Sequence, residues 1–365
     1  MKILMLRPQI EIGGVRTVMT TLSLGLLQQG HSVVVGTYNE ESPGYFEQRQ
    51  IPIVHLPLYP STLGNFARSV QHLKSLVKKQ QIDVIYSTHR FTSIIGKLVS
   101  KLTDTPLVVS VYEIKQDRRI LAPLWTCNTN IVSSQALKDH LVSHYKLKGN
   151  TITVIPTGIN PSLVADRASS SRLRSEVFQA TDWPIVGYIG RLSQEKGVAD
   201  FIDSIALLNQ RQPLAHFVIV GSGPEEQALQ QQAHSLNLGD STLFLGTRQD
   251  ILELLDIMDI VVIPSLSENF PAVALEAMRA ERPVVATTVG GLPEIIRNQL
   301  TGLLVPPQSP AQLADAIYTL IQDPKLRKQM GKCGQETVLQ EYSTERMIER
   351  YIAVFKHGIS KLKDA

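Results

Sequence analysis

The chain has 365 residues, 43% hydrophobic and 19% charged, with a net charge of +3; that length predicts two domains and that composition excludes disorder. No apolar run is long enough to cross a bilayer, Lys2–Leu6 is too short before Arg7-Pro8 for a signal-peptide core, and Cys127 and Cys333 are expected as free thiols of a cytoplasmic protein. Residues 1–165 hold 17 Lys and Arg against 9 Asp and Glu, or +8, and the remainder 19 against 24, or −5, so the first half is expected to meet an anionic partner: a membrane surface, an anionic lipid or a phosphorylated acceptor.

In chain order, residues 2–6 predict a first strand. The loop after it carries Gly13-Gly14, and Val15, Val18, Met19, Leu22 and Leu26 then share one face of a helix closed by Gly30. Gly-x-Gly-x-x-Gly is absent, so an NAD site is not indicated. Short apolar runs at 32–36, 53–56, 83–87, 107–111, 129–133 and 151–155, with helical stretches between several of them, predict a parallel, doubly wound sheet. Residues 63–79 predict an amphipathic helix with Arg68, Lys74, Lys78 and Lys79 beside its apolar stripe, either packed on the core or resting on an anionic membrane. His89 ends one strand and Tyr112 the next, both at the expected rim of a cleft. Residues 115–125 mix charge with large apolar groups, a second candidate for acceptor or membrane contact. Residues 165–175, rich in Ser and Arg, read as a surface stretch, and the boundary between domains is expected between 161 and 184.

The pattern restarts with predicted strands at 185–189, 216–220, 242–245, 260–263, 284–287 and 302–305. Arg191 follows the first of these and Lys196 comes five residues later; a forked guanidinium beside a mobile ammonium suits a diphosphate. The stretch from Pro264 to Met278 passes from strand to loop to helix, placing Glu268 in the loop and Glu276 on the helix, with helical character from Pro271 onward. That end of a parallel sheet binds ligands, and a helix amino terminus there offers N–H groups to an anion. Residues 315–323 and 325–336 predict closing helices, and Ser343 the start of a last one.

Glu-x7-Glu across Glu268 and Glu276, followed by Ala277-Met278, Arg282-Pro283-Val284-Val285 and Gly290-Gly291-Leu292-Pro293-Glu294, resembles the signature half of the family-4 retaining glycosyltransferases of the GT-B fold. Thr301-Gly302-Leu303-Leu304-Val305-Pro306 and Gly190-Arg191-Leu192-Ser193 extend the resemblance, which is strong after residue 185 and looser before it. It implies two Rossmann-like doubly wound domains facing a central cleft: an acceptor domain over 1–165, a nucleotide-sugar domain over 166–342, and a last helix over 343–365 crossing back onto the first.

The implied activity is retaining transfer of a hexose from a nucleotide-diphosphate sugar to a glycan or lipid-linked acceptor. The expected partners include peripheral contact with an anionic membrane on its cytoplasmic face but no nucleic acid. The alternative is a nucleotide-sugar-binding subunit with little turnover. By resemblance Arg191, Lys196 and the helix tip near Phe270, Pro271, Ala272 and Val273 hold the diphosphate, with Gly14 approaching from the first domain. Arg248 and neighbouring main chain hold the base, Glu276 the ribose, and Glu268 with Asn269 the donor sugar. No metal or cofactor is expected, since these cations take the clamp's role and no Asp-x-Asp occurs. Glu268 is not assigned as a covalent nucleophile, because a front-face displacement is equally allowed. Many members carry a cleft histidine where this chain has Tyr112, so either His89 substitutes or main-chain contacts suffice.

Overall fold

The computed structural model describes all residues except Ile12, Pro60, Ser61, residues 113–121, Leu163, residues 179–182, residues 212–214, Asp240 and residues 364–365. Most of the predicted loop at 115–125 therefore lies outside the described residues. The chain forms two compact units, Met1–Gly158 with Thr344–Ala365, and Ile159–Ser343. The first unit thus closes at Gly158 rather than at 165. Its neighbour Ile159 donates its N–H to Tyr342 O at 2.8 Å and bridges Ser343, which places Ile159 in the second unit.

In the first unit β1 (Lys2–Leu6) leads through the short β2 (Gln9–Ile10) to α1 (Gly14–Gln28), β3 (Ser32–Thr37), β4 (Asn39–Glu40) and β5 (Ile53–His55). Then follow α2 (Leu63–Gln80), β6 (Val84–Ser87), α3 (Arg90–Thr103), β7 (Leu107–Val111), α4 (Ala122–Trp125), β8 (Asn130–Val132), α5 (Gln135–Ser143) and β9 (Ile152–Val154). Seven strands pair in parallel in the order β5-β3-β1-β6-β7-β8-β9. Successive β1 side chains enter opposite cores, Ile3 and Met5 one, Leu4 and Leu6 the other. That is why the run is apolar without alternation: both faces are covered.

The second unit opens with α6 (Arg167–Phe178), which replaces the surface stretch expected at 165–175. Its Leu173 and Phe178 are buried, a sparse apolar stripe that serine and arginine hid. β10 (Ile185–Ile189), α7 (Val198–Gln210), β11 (His216–Val220), α8 (Glu226–Ser235), β12 (Thr242–Gly246) and α9 (Ile251–Ile257) follow. β13 (Ile260–Ile263), α10 (Ala272–Arg279), β14 (Val284–Thr287), α11 (Leu292–Ile295), β15 (Gly302–Val305), α12 (Pro310–Gln322) and α13 (Pro324–Glu341) complete it. Its six parallel strands run β12-β11-β10-β13-β14-β15. Ile260 and Val262 face one core, Val261 and Ile263 the other. Both units are thus doubly wound α/β, the class expected.

The last helix, α14 (Thr344–Lys363), belongs to the first unit and lays Met347, Ile348, Tyr351 and Phe355 into the core that α1 and β1 share. Gly25 of α1 allows this approach, because a Cβ there would overlap the tip of Ile348. The apolar stripe of α2 is likewise committed inward. Leu73 and Val77 are buried and Phe66, Val70 and Leu76 pack against the same core, so of its large apolar residues only Leu63, at 90% exposure, faces out. The membrane-resting alternative for this helix loses its apolar face. Among the described residues no helix is long and apolar enough to cross a membrane.

The tight α1–α14 contact is testable. Gly25→Leu should cost about 2 kcal/mol by overpacking, with part of the loss returned when Ile348→Ala is added, as read from urea denaturation followed by circular dichroism.

Candidate functional site

In the second sheet the connections leave β10 toward β11 and β12 and then return past it to β13, so the topological switch point lies between β10 and β13. Two loops meet there. The loop after β10 carries Arg191 and the short turn Gln194–Lys196; the loop after β13 carries Ser265 and Glu268 and ends at Pro271, the N-cap of α10. Proline therefore precedes the helix instead of occupying its first turn.

Main-chain contacts hold the loops together. Leu266 and Ser267 both donate N–H groups to Glu195 O, at 2.8 and 3.2 Å. Gly197 has φ of 63°, and a Cβ there would overlap Pro264 O. On the far side Gly290, at φ of 54°, lies so close to Glu268 that a Cβ would overlap its carbonyl oxygen. Gly290 therefore serves a close approach of backbones. Thr287 Oγ1 also donates to Ser265 O at 2.6 Å, fixing the start of the loop.

Within this frame Lys196 Nζ meets Glu268 Oε2 at 2.6 Å, with side-chain exposures of 27% and 12%. Ser265 Oγ donates to the same oxygen at 3.3 Å. Tyr188, on β10, is held above the usual phenol range by burial and then by the negative charges of Glu268 and Glu195; its hydroxyl donates to Arg191 O at 2.8 Å. Glu195 is held below the usual carboxylate range, chiefly because Ser193 Oγ donates to it at 2.6 Å. Ser265, Tyr188, Thr287 and Glu195 were given no role from sequence, although Ser265, Glu195 and Thr287 lie within the motif segments.

The structure brings some predicted residues together and holds others apart. Arg191 is exposed and carries no ion pair among the described residues. Asn269 sits in the loop, and Phe270 leans on Tyr342 with ring centroids 5.9 Å apart. Ala272 and Val273 form the first turn of α10, where N–H groups lack intrahelical acceptors. Arg248 is committed elsewhere: its guanidinium grips both carboxylate oxygens of Asp250, with Nε to Oδ1 at 2.8 Å, and in the same turn Gly246 O accepts the Gly221 N–H at 2.8 Å.

Glu276 lies on the open face of α10, since Ala274, Leu275, Ala277 and Met278 are buried on the other. Ala272 precedes it by four residues on that open face, so the face runs from the helix tip past Glu276 toward Arg279. There it lines a cavity of about 450 Å³ with Asp256, Arg279 and Arg282. Burial pushes its carboxyl above the usual range. Among the described residues no group of three or more His, Cys, Asp or Glu is placed to hold a metal ion.

Gly14 and His89 belong to the first unit, where the switch point falls between β1 and β6. Gly14 opens α1 with nothing packed against its Cα face. His89 is the exposed N-cap of α3 and its Nδ1 accepts the Phe91 N–H at 3.2 Å. Together with Arg7, Thr88, Arg90 and Tyr112 it lines a cavity of about 230 Å³. Tyr112 turns its hydroxyl into the protein: Tyr86 OH lies 2.9 Å away and Tyr351 OH 3.2 Å, with Ser110 Oγ 2.8 Å from Tyr86 OH. Burial, then the neighbouring phenols, hold Tyr86 and Tyr112 well above the usual phenol range.

The raised carboxyl of Glu276 carries a signed consequence. A group protonated more readily when folded costs stability once pH rises through its folded pKa. Glu276→Gln should therefore melt about 1–2 °C higher than the parent at pH 7, and the difference should shrink toward the usual carboxylate range, as read by calorimetry across pH.

Comparison with known proteins agrees with this fold. The family described as Glycosyl transferases group 1 matches residues 170–337, and Glycosyltransferase Family 4 matches residues 12–163. An uncharacterized glycosyltransferase of Methanocaldococcus jannaschii is 27% identical over 96% of this chain and 95% of its own. A D-inositol 3-phosphate glycosyltransferase of Corynebacterium glutamicum is 29% identical over 71% and 68%. The Anabaena protein HepE, solved in complex with UDP, is 25% identical over 98% of this chain and all of its own, with a TM-score of 0.88; its complex with UDP-glucose superposes with a TM-score of 0.85. With one family match on each half of the chain, and two doubly wound units beneath them, the chain belongs to the group 1, family 4 glycosyltransferases.

Proposed function

We propose that this glycosyltransferase moves a hexose from a nucleoside diphosphate sugar to a hydroxyl of a glycan or lipid-linked acceptor, with retention of configuration and without a metal ion. The observation that carries this reading is the meeting of Lys196, Glu268 and the tip of α10 at the switch point of the second sheet. A departing diphosphate needs positive charge placed before the reaction begins. Lys196 supplies a point charge, Arg191 a fork for two phosphate oxygens, and the first N–H groups of α10 a further set of donors. The clamp is thus built from side chains and main chain, which supports the metal-free reading.

The chemistry is a substitution at the anomeric carbon. Its bond to the diphosphate oxygen breaks and a bond to the acceptor oxygen forms on the same face, while the acceptor proton passes to an oxygen of the leaving phosphate. Glu268, largely buried and negative, faces the charge that develops on the sugar and accepts from its hydroxyls. Glu276 accepts from the ribose hydroxyls, and these donors compensate a carboxylate that burial otherwise disfavours. HepE, solved with UDP and UDP-glucose, makes UDP-hexoses the first donors to test.

Lys196→Ala should lower turnover about 100-fold while leaving affinity for the free nucleoside unchanged. Glu276→Ala should weaken nucleotide binding about tenfold through the lost hydrogen bonds. Proton NMR of the fresh product should show the donor's anomeric configuration, and EDTA should leave the rate intact. Inverted product would remove the retaining assignment, an EDTA-sensitive rate the metal-free one. Tight donor binding with no sugar release under any acceptor would favour a binding subunit with little turnover.

A further inference from the structure

The contact between Lys196 and Glu268 carries a consequence for the order of events in the donor site, and it rests on the donor reading above. One ammonium is offered to two anions, the carboxylate of Glu268 and the diphosphate. We propose that Glu268 competes with the diphosphate for Lys196, and that return of Lys196 to Glu268 speeds release of the spent nucleoside diphosphate.

The pair is built into the fold. Glu195 O ties the loop after β10 to Leu266 and Ser267, Gly197 brings the same loop against Pro264, and Gly290 presses on the main chain of Glu268. Lys196 and Glu268 therefore face each other across a gap that main chain sets, and Ser265 Oγ, 3.3 Å from the same carboxylate oxygen, orients it. Glu268 is only 12% exposed. A carboxylate that far from water needs donors, and removing Lys196 leaves it short of them.

The two forms of the ligand differ at that point. A loaded donor draws Lys196 onto its diphosphate and gives Glu268 sugar hydroxyls in exchange. A nucleoside diphosphate draws the same cation and offers Glu268 nothing. The site is thereby biased against its own product, and the bias lives in one ion pair. The pair is partly exposed, so its effect is modest, of the size of a partly screened salt bridge.

The test is a double-mutant cycle on binding. UDP, GDP, ADP and dTDP are titrated calorimetrically into the parent, Glu268→Gln, Lys196→Met and the double variant, with melts to confirm folding and stopped-flow dissociation for the nucleotide that binds. Glu268→Gln should bind that nucleotide about fivefold tighter than the parent, with the gain in a slower off-rate, and should show no gain once Lys196→Met is present. Glu268→Asp, which keeps the charge but draws it back from Lys196, should give a smaller gain in the same direction and serves if the glutamine variant does not fold. Equal or weaker binding by Glu268→Gln overturns the proposal. So does an equal gain in both backgrounds, which would reduce the effect to relief of charge repulsion. A parent that retains none of the nucleotides at millimolar concentration overturns the donor reading itself, and the inference with it.

Discussion

The structure of the second unit depends on two loops being forced into main-chain contact at the point where its sheet reverses direction. Left alone, each would be an ordinary strand-to-helix connection. Glycines at 197 and 290 let carbonyl oxygens approach where a Cβ could not fit, and the carbonyl of Glu195 accepts two N–H groups from the other loop. Only then do Lys196 and Glu268 fall within 2.6 Å. The motif is thus less a pair of catalytic side chains than a backbone junction that holds opposite charges at one spot. Neutral supports such as Thr287 and Ser265 matter because they fix carbonyls and carboxylates whose charges do the work.

Most of the architecture could be read from the chain, and the reason is burial on both faces. Strands β6, β7, β10, β11, β13, β14 and β15 are short β-branched or apolar runs, and the helices between them force a parallel sheet. What escaped reading lacked that signal. The β2–β4 pair has two residues in each strand, too few for any period. Helix α6 has two buried apolar anchors among serines and arginines. In the site, the types at Lys196, Glu268 and Glu276 were legible because motif spacing named them. The commitment of Arg248 to Asp250 was not, because a guanidinium two residues from a carboxylate reads the same whether it folds back or reaches outward.

The first unit uses its strand ends differently. Where the resemblance implies a histidine in many family members, Tyr112 commits its hydroxyl to Tyr86 and Tyr351, and with it joins β6, β7 and the last helix. A phenol so buried stays neutral across the physiological range and is poorly suited to move a proton. His89 lines the same cavity, but its Nδ1 is the cap of α3, so that nitrogen belongs to the fold.

The terminal helix gains its meaning from the same cluster. Tyr351 ties α14 to strand ends that also line the cavity, while Ile348 needs the missing side chain at Gly25 to seat. A helix that arrives last in the sequence therefore backs Tyr112, one of the residues that line a cavity walled by the first 125 residues. The loops of the first unit can then vary without disturbing the junction of Lys196 and Glu268 in the second, because each unit has its own sheet, its own two cores and its own switch point.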